Sequence, residues 1–187
     1  TGGSLYYNAK SGNCYSGQSN ATKACNFTST GIKNATTRNL ISDTIYYLGG
    51  HNSFSVYPNQ IYEKERGTTV YSGRPTEWTG KIALAYPSDY GYAADLGKCS
   101  QNLNNYNNST CTSNNWMKAI VAPNYGWLLT PRSGIASNVW YVYSSGGVYY
   151  NSYVYNAYGV APVLFLNSDA NVKSGTGTSS DPYQISV

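Results

Sequence analysis

Apolar positions in this chain come in short runs separated by polar, glycine-rich stretches, and the longest window with helical spacing lies near residue 40. Asn34 stands at a capping position, and Leu40, Ile41, Ile45 and Leu48 share one broad stripe. The pattern therefore predicts a helix over 35–48, ended by Gly49 and Gly50. Pro58 opens a second helix over 58–66, with Glu63-Lys64-Glu65-Arg66 as a solvated face. Glu63 and Glu65 stand two positions apart and point to different sides of a helix, so a surface role is favoured over paired catalytic carboxylates. Strands are predicted at Leu5 to Asn8, Gly80 to Ala85, Gly159 to Leu166 and, as an edge, Tyr183 to Val187. Tyr86 to Tyr92 reads as a turn, with Asp89 making a local side-chain hydrogen bond, and Trp116 as a core or loop anchor.

The stretch from Trp127 to Leu166 breaks this pattern. Thirty residues, Arg132 to Ala161, lie between the runs Trp127-Leu128-Leu129 and Val163-Leu164-Phe165-Leu166, and they hold seven of the 21 tyrosines but no Lys, Asp, Glu, Gln, His, Met or Cys. Strand side chains alternate between faces. Trp140, Val142, Ser144, Gly146 and Val148 share the parity read as core-facing. Val139, Tyr141, Tyr143, Gly147 and Tyr149 share the other, read as an open face, with a hairpin turn at Ser144 to Gly147. Tyr150 to Tyr158 lacks alternation and reads as a returning loop. The vocabulary is that of a paratope, in which Tyr supplies broad contact at low rotamer cost and Ser, Gly and Asn adapt. Cross-strand packing in a tyrosine-rich hairpin gives the same composition, and both readings stay open at this level.

Length and composition fit a single domain spanning 1–187, with an N-terminal strand and stapled loop at 1–33 and the binding hairpin region at 127–166. Only 11% of residues are charged, and the net charge of +4 is scattered with no basic cluster, which argues against nucleic acid. No apolar run reaches the roughly 20 residues of a membrane span. The four cysteines fall in two close pairs, Cys14 with Cys25 and Cys99 with Cys111. Of three possible connectivities the sequential one closes two short loops and implies an oxidising compartment. Zinc is the rival reading, but these spacings and a single histidine, His51, do not suit it. A stapled polar excursion over 95–115 follows from the second pair.

Four segments carry a resemblance: WLLTP from Trp127, WYVYSSGGVYY from Trp140, YGVAPVLFL from Tyr158 and GTGTSSDPYQI from Gly175. They resemble the C-terminal part of a bacterial family with a C-type-lectin-like fold, similar to the formylglycine-generating-enzyme fold. That family includes variable proteins of diversity-generating retroelements, some attached to pilin-like stalks. The similarity covers Trp78 to Val187 and is looser before it. In such systems template adenines are miscopied, so an Asn codon becomes one for Tyr, Ser, Asp, His, Ile, Val, Gly, Ala or Arg but never Lys, Glu, Gln, Met or Trp. The absences between Arg132 and Ala161 fit this rule except at Trp140, which lies on the core parity. One departure is Ala161, where the family commonly has Arg, so that contact has no counterpart here.

The resemblance implies an α+β, C-type-lectin-like fold with small mixed or antiparallel sheets, two helices and disulfide-stapled loops. It implies a ligand-facing set of Arg132, Ser133, Ile135, Ala136, Asn138, Val139, Tyr141, Tyr143, Tyr149, Tyr150, Asn151, Ser152, Tyr153, Val154, Tyr155, Asn156 and Tyr158. The calcium motifs of lectins are absent, both cysteine pairs read as structural, and His51 sits in a helix-ending loop rather than a triad. The expectation is a non-catalytic display protein, without cofactor or metal, at a bacterial cell surface or outside it. Its partner would be a protein or glycan on another cell, host or phage. A pilin-like structural subunit and a calcium-independent carbohydrate-binding module are the alternatives.

Overall fold

The tyrosine-rich stretch forms the centre and one edge of a five-stranded sheet. The computed structural model describes residues 34–154, 156–178 and 180–186, together with the backbone of three strands nearer the start, β1 (Ser4–Tyr6), β2 (Asn13–Tyr15) and β3 (Ala21–Ala24). Tyr155 and the pairing of Cys14 with Cys25 lie outside the described residues. After them come α1 (Ala35–Asn39), β4 (Thr44–Tyr47), α2 (Pro58–Glu65), β5 (Glu77–Gly80), β6 (Ile82–Leu84) and α3 (Pro87–Tyr92). A 3-10 turn at Leu103–Asn105, α4 (Ser109–Ser113) and α5 (Lys118–Val121) lead to β7 (Gly126–Pro131), β8 (Asn138–Val142), β9 (Val148–Tyr153) and β10 (Ala157–Gly159). β11 (Pro162–Leu164), β12 (Asn171–Ser174) and β13 (Gln184–Ser186) complete a mixed α+β fold of short helices and small sheets.

The main sheet has the order β1-β10-β7-β8-β9, with β7, β8 and β9 antiparallel, β10 parallel to β7, and β1 antiparallel to β10. The hairpin between β8 and β9 turns where the glycine pair predicts. Tyr143 N donates to Gly147 O at 2.8 Å, and Gly146 adopts φ 101°, a conformation that favours glycine. The core parity also holds, because Trp140, Val142 and Val148 are fully buried with Leu128 against Ile61 of α2, Tyr90 of α3, Leu103 and Val121. Each such side chain contributes about 1.5–3 kcal/mol on removal from water. Cys99 and Cys111 are joined by a disulfide and are buried in the same cluster, so the stapled 95–115 segment is part of the core's wall.

Several expectations change. The helix predicted over 35–48 stops at Asn39, although Asn34 caps it by accepting from Thr37 N at 3.2 Å. Thr44 to Tyr47 is β-branched and aromatic, and it pairs with β5, burying Tyr46 and leaving Ile45 and Tyr47 exposed. A period of two therefore replaces 3.6. The turn expected at 86–92 is α3, opened by Pro87, with Asp89 Oδ2 accepting from Tyr86 N at 2.9 Å. The loop expected over 150–158 contains most of β9 and much of β10. The strand expected over 159–166 is split, since Pro162 has no N–H to continue a ladder. β11 instead pairs with β6, and Leu164, Phe165 and Leu166 stay exposed. Trp116 is 68% exposed and so lies outside the core.

Glu65 departs most from its predicted role. Glu63 is exposed, but Glu65 is fully buried at the start of α3, where its carboxylate accepts from Ser88 N at 2.9 Å and from the Ser88 hydroxyl, with Arg66 at 3.3 Å. Gly91 lets α2 and α3 close on this contact, because a Cβ there would come within 2.7 Å of Pro58 Cγ. Burial raises the Glu65 carboxyl from 4.5 to about 8, outweighing the two hydrogen bonds from Ser88 that favour the charged form. The folded chain then holds a proton that the unfolded chain releases. This contribution to stability is full below about pH 4.5 and is lost as pH rises towards 8. Thermal unfolding of the native chain should show a midpoint that falls across this window, and Glu65→Gln should flatten the dependence. Equal slopes for the two proteins would contradict this account.

Candidate binding face

Strand pairing brings the tyrosines together. Trp127 of β7 lies opposite Tyr141 of β8, Tyr141 lies opposite Tyr149 of β9, and Tyr158 of β10 comes alongside β7. Tyr158 sits 4.5 Å from Trp127, 4.9 Å from Tyr125 and 5.4 Å from Tyr141. Tyr143 meets Tyr125 edge-on at 4.7 Å and Tyr149 edge-on at 6.0 Å. Tyr141 is the hub: it lies within 6.5 Å of Tyr125, Trp127, Tyr143, Tyr149 and Tyr158. Six rings thus form one layer across four strands. Each such pair adds about 0.5–1.5 kcal/mol beyond the area it buries, so the layer is held as a body.

This layer alters the open face expected from parity. Val139 and Tyr141 do lie opposite Trp140, but they are 2% and 8% exposed because the neighbouring rings and Trp127 cover them. The Tyr141 hydroxyl donates to Asn151 Oδ1 at 3.3 Å. Burial, helped by the neighbouring phenols, pushes its pKa up to about 12. Asn138, Tyr150 and Ser152 are also buried. Ile135, Tyr143, Asn151 and Tyr153 are exposed, with Tyr143 at 38% and Tyr153 at 47%. Arg132, Ser133, Ala136, Tyr149, Val154, Asn156 and Tyr158 are half-buried. Asn156 Nδ2 donates to Ser152 Oγ at 3.0 Å and to the Tyr158 hydroxyl at 3.4 Å, which ties the turn after β9 to the layer.

A second lobe adjoins the first at the free edge of β9. Phe54 stacks on Tyr150 at 4.0 Å and meets Tyr149 edge-on at 5.6 Å, so one ring joins the tyrosine layer to the other side of the sheet. The Arg132 guanidinium lies 4.5 Å over Tyr150, and its Nε donates to Asn52 Oδ1 at 2.5 Å. The chain around His51 pairs in parallel with Arg132, and Ser133 N donates to His51 O at 3.5 Å. The His51 ring stacks on Trp140 at 6.4 Å. Burial first, and the charge of Lys64 second, hold its pKa below the ordinary value.

Of the predicted set, the structure groups Tyr141, Tyr143, Tyr149 and Tyr158 in one lobe and Arg132 with Tyr150 in the other. Ser133 joins the second lobe by its backbone, while Ile135 and Ala136 continue the same loop, where Arg74 Nη2 donates to Ala136 O at 3.5 Å. Sequence reasoning missed Tyr125, Trp127, Asn52 and Phe54. Tyr125 and Trp127 share a parity that would have placed them beside the layer, but nothing local ties Asn52 or Phe54 to a hairpin about 80 residues away. Among the described residues no three of His, Cys, Asp and Glu come together to hold a metal, and no helix is long and apolar enough to cross a membrane. No family model, curated protein or solved structure matches the chain.

The layer separates structural from contact tyrosines. Tyr141→Ala should lower stability by about 3–5 kcal/mol, as removal of a buried aromatic does, whereas Tyr143→Ala, which gives up ring contacts at the exposed margin of the layer, should cost about 1–2 kcal/mol. Urea unfolding measures both, and equal losses would show that the layer does not pack around Tyr141.

Proposed function

We propose that the chain is a non-catalytic display protein whose β8–β10 face binds an external partner at or beyond a bacterial surface, in the manner of retroelement-diversified variable proteins with a C-type-lectin-like fold. The observation that carries this reading is a surface tyrosine layer fixed from behind. Tyr143 reaches solvent directly after β8, beside Tyr149 of β9, on the face opposite Trp140, Val142 and Val148, whereas Tyr153 is exposed beyond the β-bulge, paired with Asn138. Such a base leaves little ordering cost for binding, and exposed phenols give amphipathic contact. The composition of Arg132 to Ala161 and the four resembling segments support the same reading.

The rings engage one another's faces and edges, as in the Tyr125 and Tyr158 stack at 16°, which leaves less flat ring surface for a sugar to stack on. This favours a protein partner over a glycan. Leu164, Phe165, Leu166, Trp78 and Ile45 are exposed elsewhere and favour, as a second reading, a structural subunit of a pilin-like filament. Concentration-dependent filament formation, unaffected by Tyr143→Ala, would select that alternative.

Peptides or antibody fragments selected on the native protein provide the test. Tyr143→Ala and Tyr149→Ala should each weaken binding by about 2 kcal/mol while urea unfolding shows each variant still folded. Binders that ignore both substitutions place the recognition surface elsewhere and remove this proposal.

A further inference from the structure

Resting on the display reading, the second lobe suggests what the partner carries. Arg132 is the only charged residue between Lys118 and Asp169, and the chain has no acidic residue from Leu96 to Ser168. Its guanidinium is positioned by the Tyr150 ring beneath it and by Asn52 Oδ1 on its Nε, and among the described residues it makes no ion pair. The two contacts use the ring face and Nε and leave the terminal nitrogens unspent. A second donor nearby is also without a partner. Trp140 is fully buried, 5.5 Å from Tyr150 and 6.4 Å from His51, and its Nε1 has no acceptor. The lobe is cationic, with the unspent guanidinium donors of Arg132 at its surface.

We propose that Arg132 anchors a carboxylate side chain, Asp or Glu, of a partner polypeptide that lies across Phe54 and Tyr149 onto the tyrosine layer. A guanidinium with a fixed plane matches a carboxylate through two parallel N–H donors, and prior fixation by Tyr150 and Asn52 removes much of the ordering cost. Phe54 joins the anchor to the tyrosine layer, so one extended segment spans both lobes.

Random-peptide phage display on the full chain, followed by titration of synthetic copies, tests this. Peptides bearing Asp or Glu should be enriched, and Arg132→Gln should weaken the best of them about 10-fold to 100-fold while leaving their Asn or Gln counterparts unchanged. Arg132→Lys should restore only part of the affinity, since it keeps the charge and loses the fork. Rising salt should weaken acidic peptides on the unaltered protein, a readout that stands even if Arg132→Gln fails to fold. Acidic peptides that ignore Arg132→Gln overturn the inference. Neutral peptides that depend on Tyr143 overturn it too, but leave the display reading intact. Absence of any enriched peptide overturns both, and preferential binding of a uronic-acid oligosaccharide overturns the polypeptide occupant proposed for Arg132.

Discussion

β8 is buried on both faces, and the candidate surface depends on that constraint. Trp140 and Val142 enter the main core, while Val139 and Tyr141 enter a second cluster with Trp127 and Tyr158 on the opposite side. A strand sandwiched in this way has little freedom to slip, because a shift by one residue would exchange the two sets and strand each against the wrong neighbours. The exposed rings on either side of β8 inherit that fixed register.

The same constraint separates two jobs that composition alone merges. Tyr141 and Val139 build the platform, Tyr143 and Asn151 meet water on top of it, and Tyr150 packs on the core side of the sheet. Both sequence readings of the hairpin therefore have a physical basis in one layer, with cross-strand packing beneath and available contact above. Arg132 and Phe54 extend the layer round the sheet edge, where a cation without an acid gives the face an electrostatic sign.

What was legible in the sequence was local and periodic. The glycine turn, the core parity of Trp140, Val142 and Val148, the Cys99 to Cys111 bridge and the Asn34 cap all follow from local spacing, at most the 12 residues of the bridge. What was hidden was set by distant partners. Ile45 fits a helical stripe as well as a strand, and only pairing with β5 decides between them. Glu65 looks solvated until α3 brings Ser88 against it. Parity places Tyr141 opposite Trp140 but says nothing of Tyr158 and Trp127 arriving to cover it. The Phe54 and Asn52 contacts depend on a loop far along the chain.

Tyrosine nitration of the native protein, mapped residue by residue by mass spectrometry, tests most directly whether the sheet holds some phenols inward and others outward. Tyr143 and Tyr153, which reach water, should be modified in the folded protein, while Tyr141, buried and with its ionisation pushed to about pH 12, should resist until the protein unfolds. Modification of Tyr141 at the rate of Tyr143, or protection of Tyr143 and Tyr153 alongside it, would contradict the account.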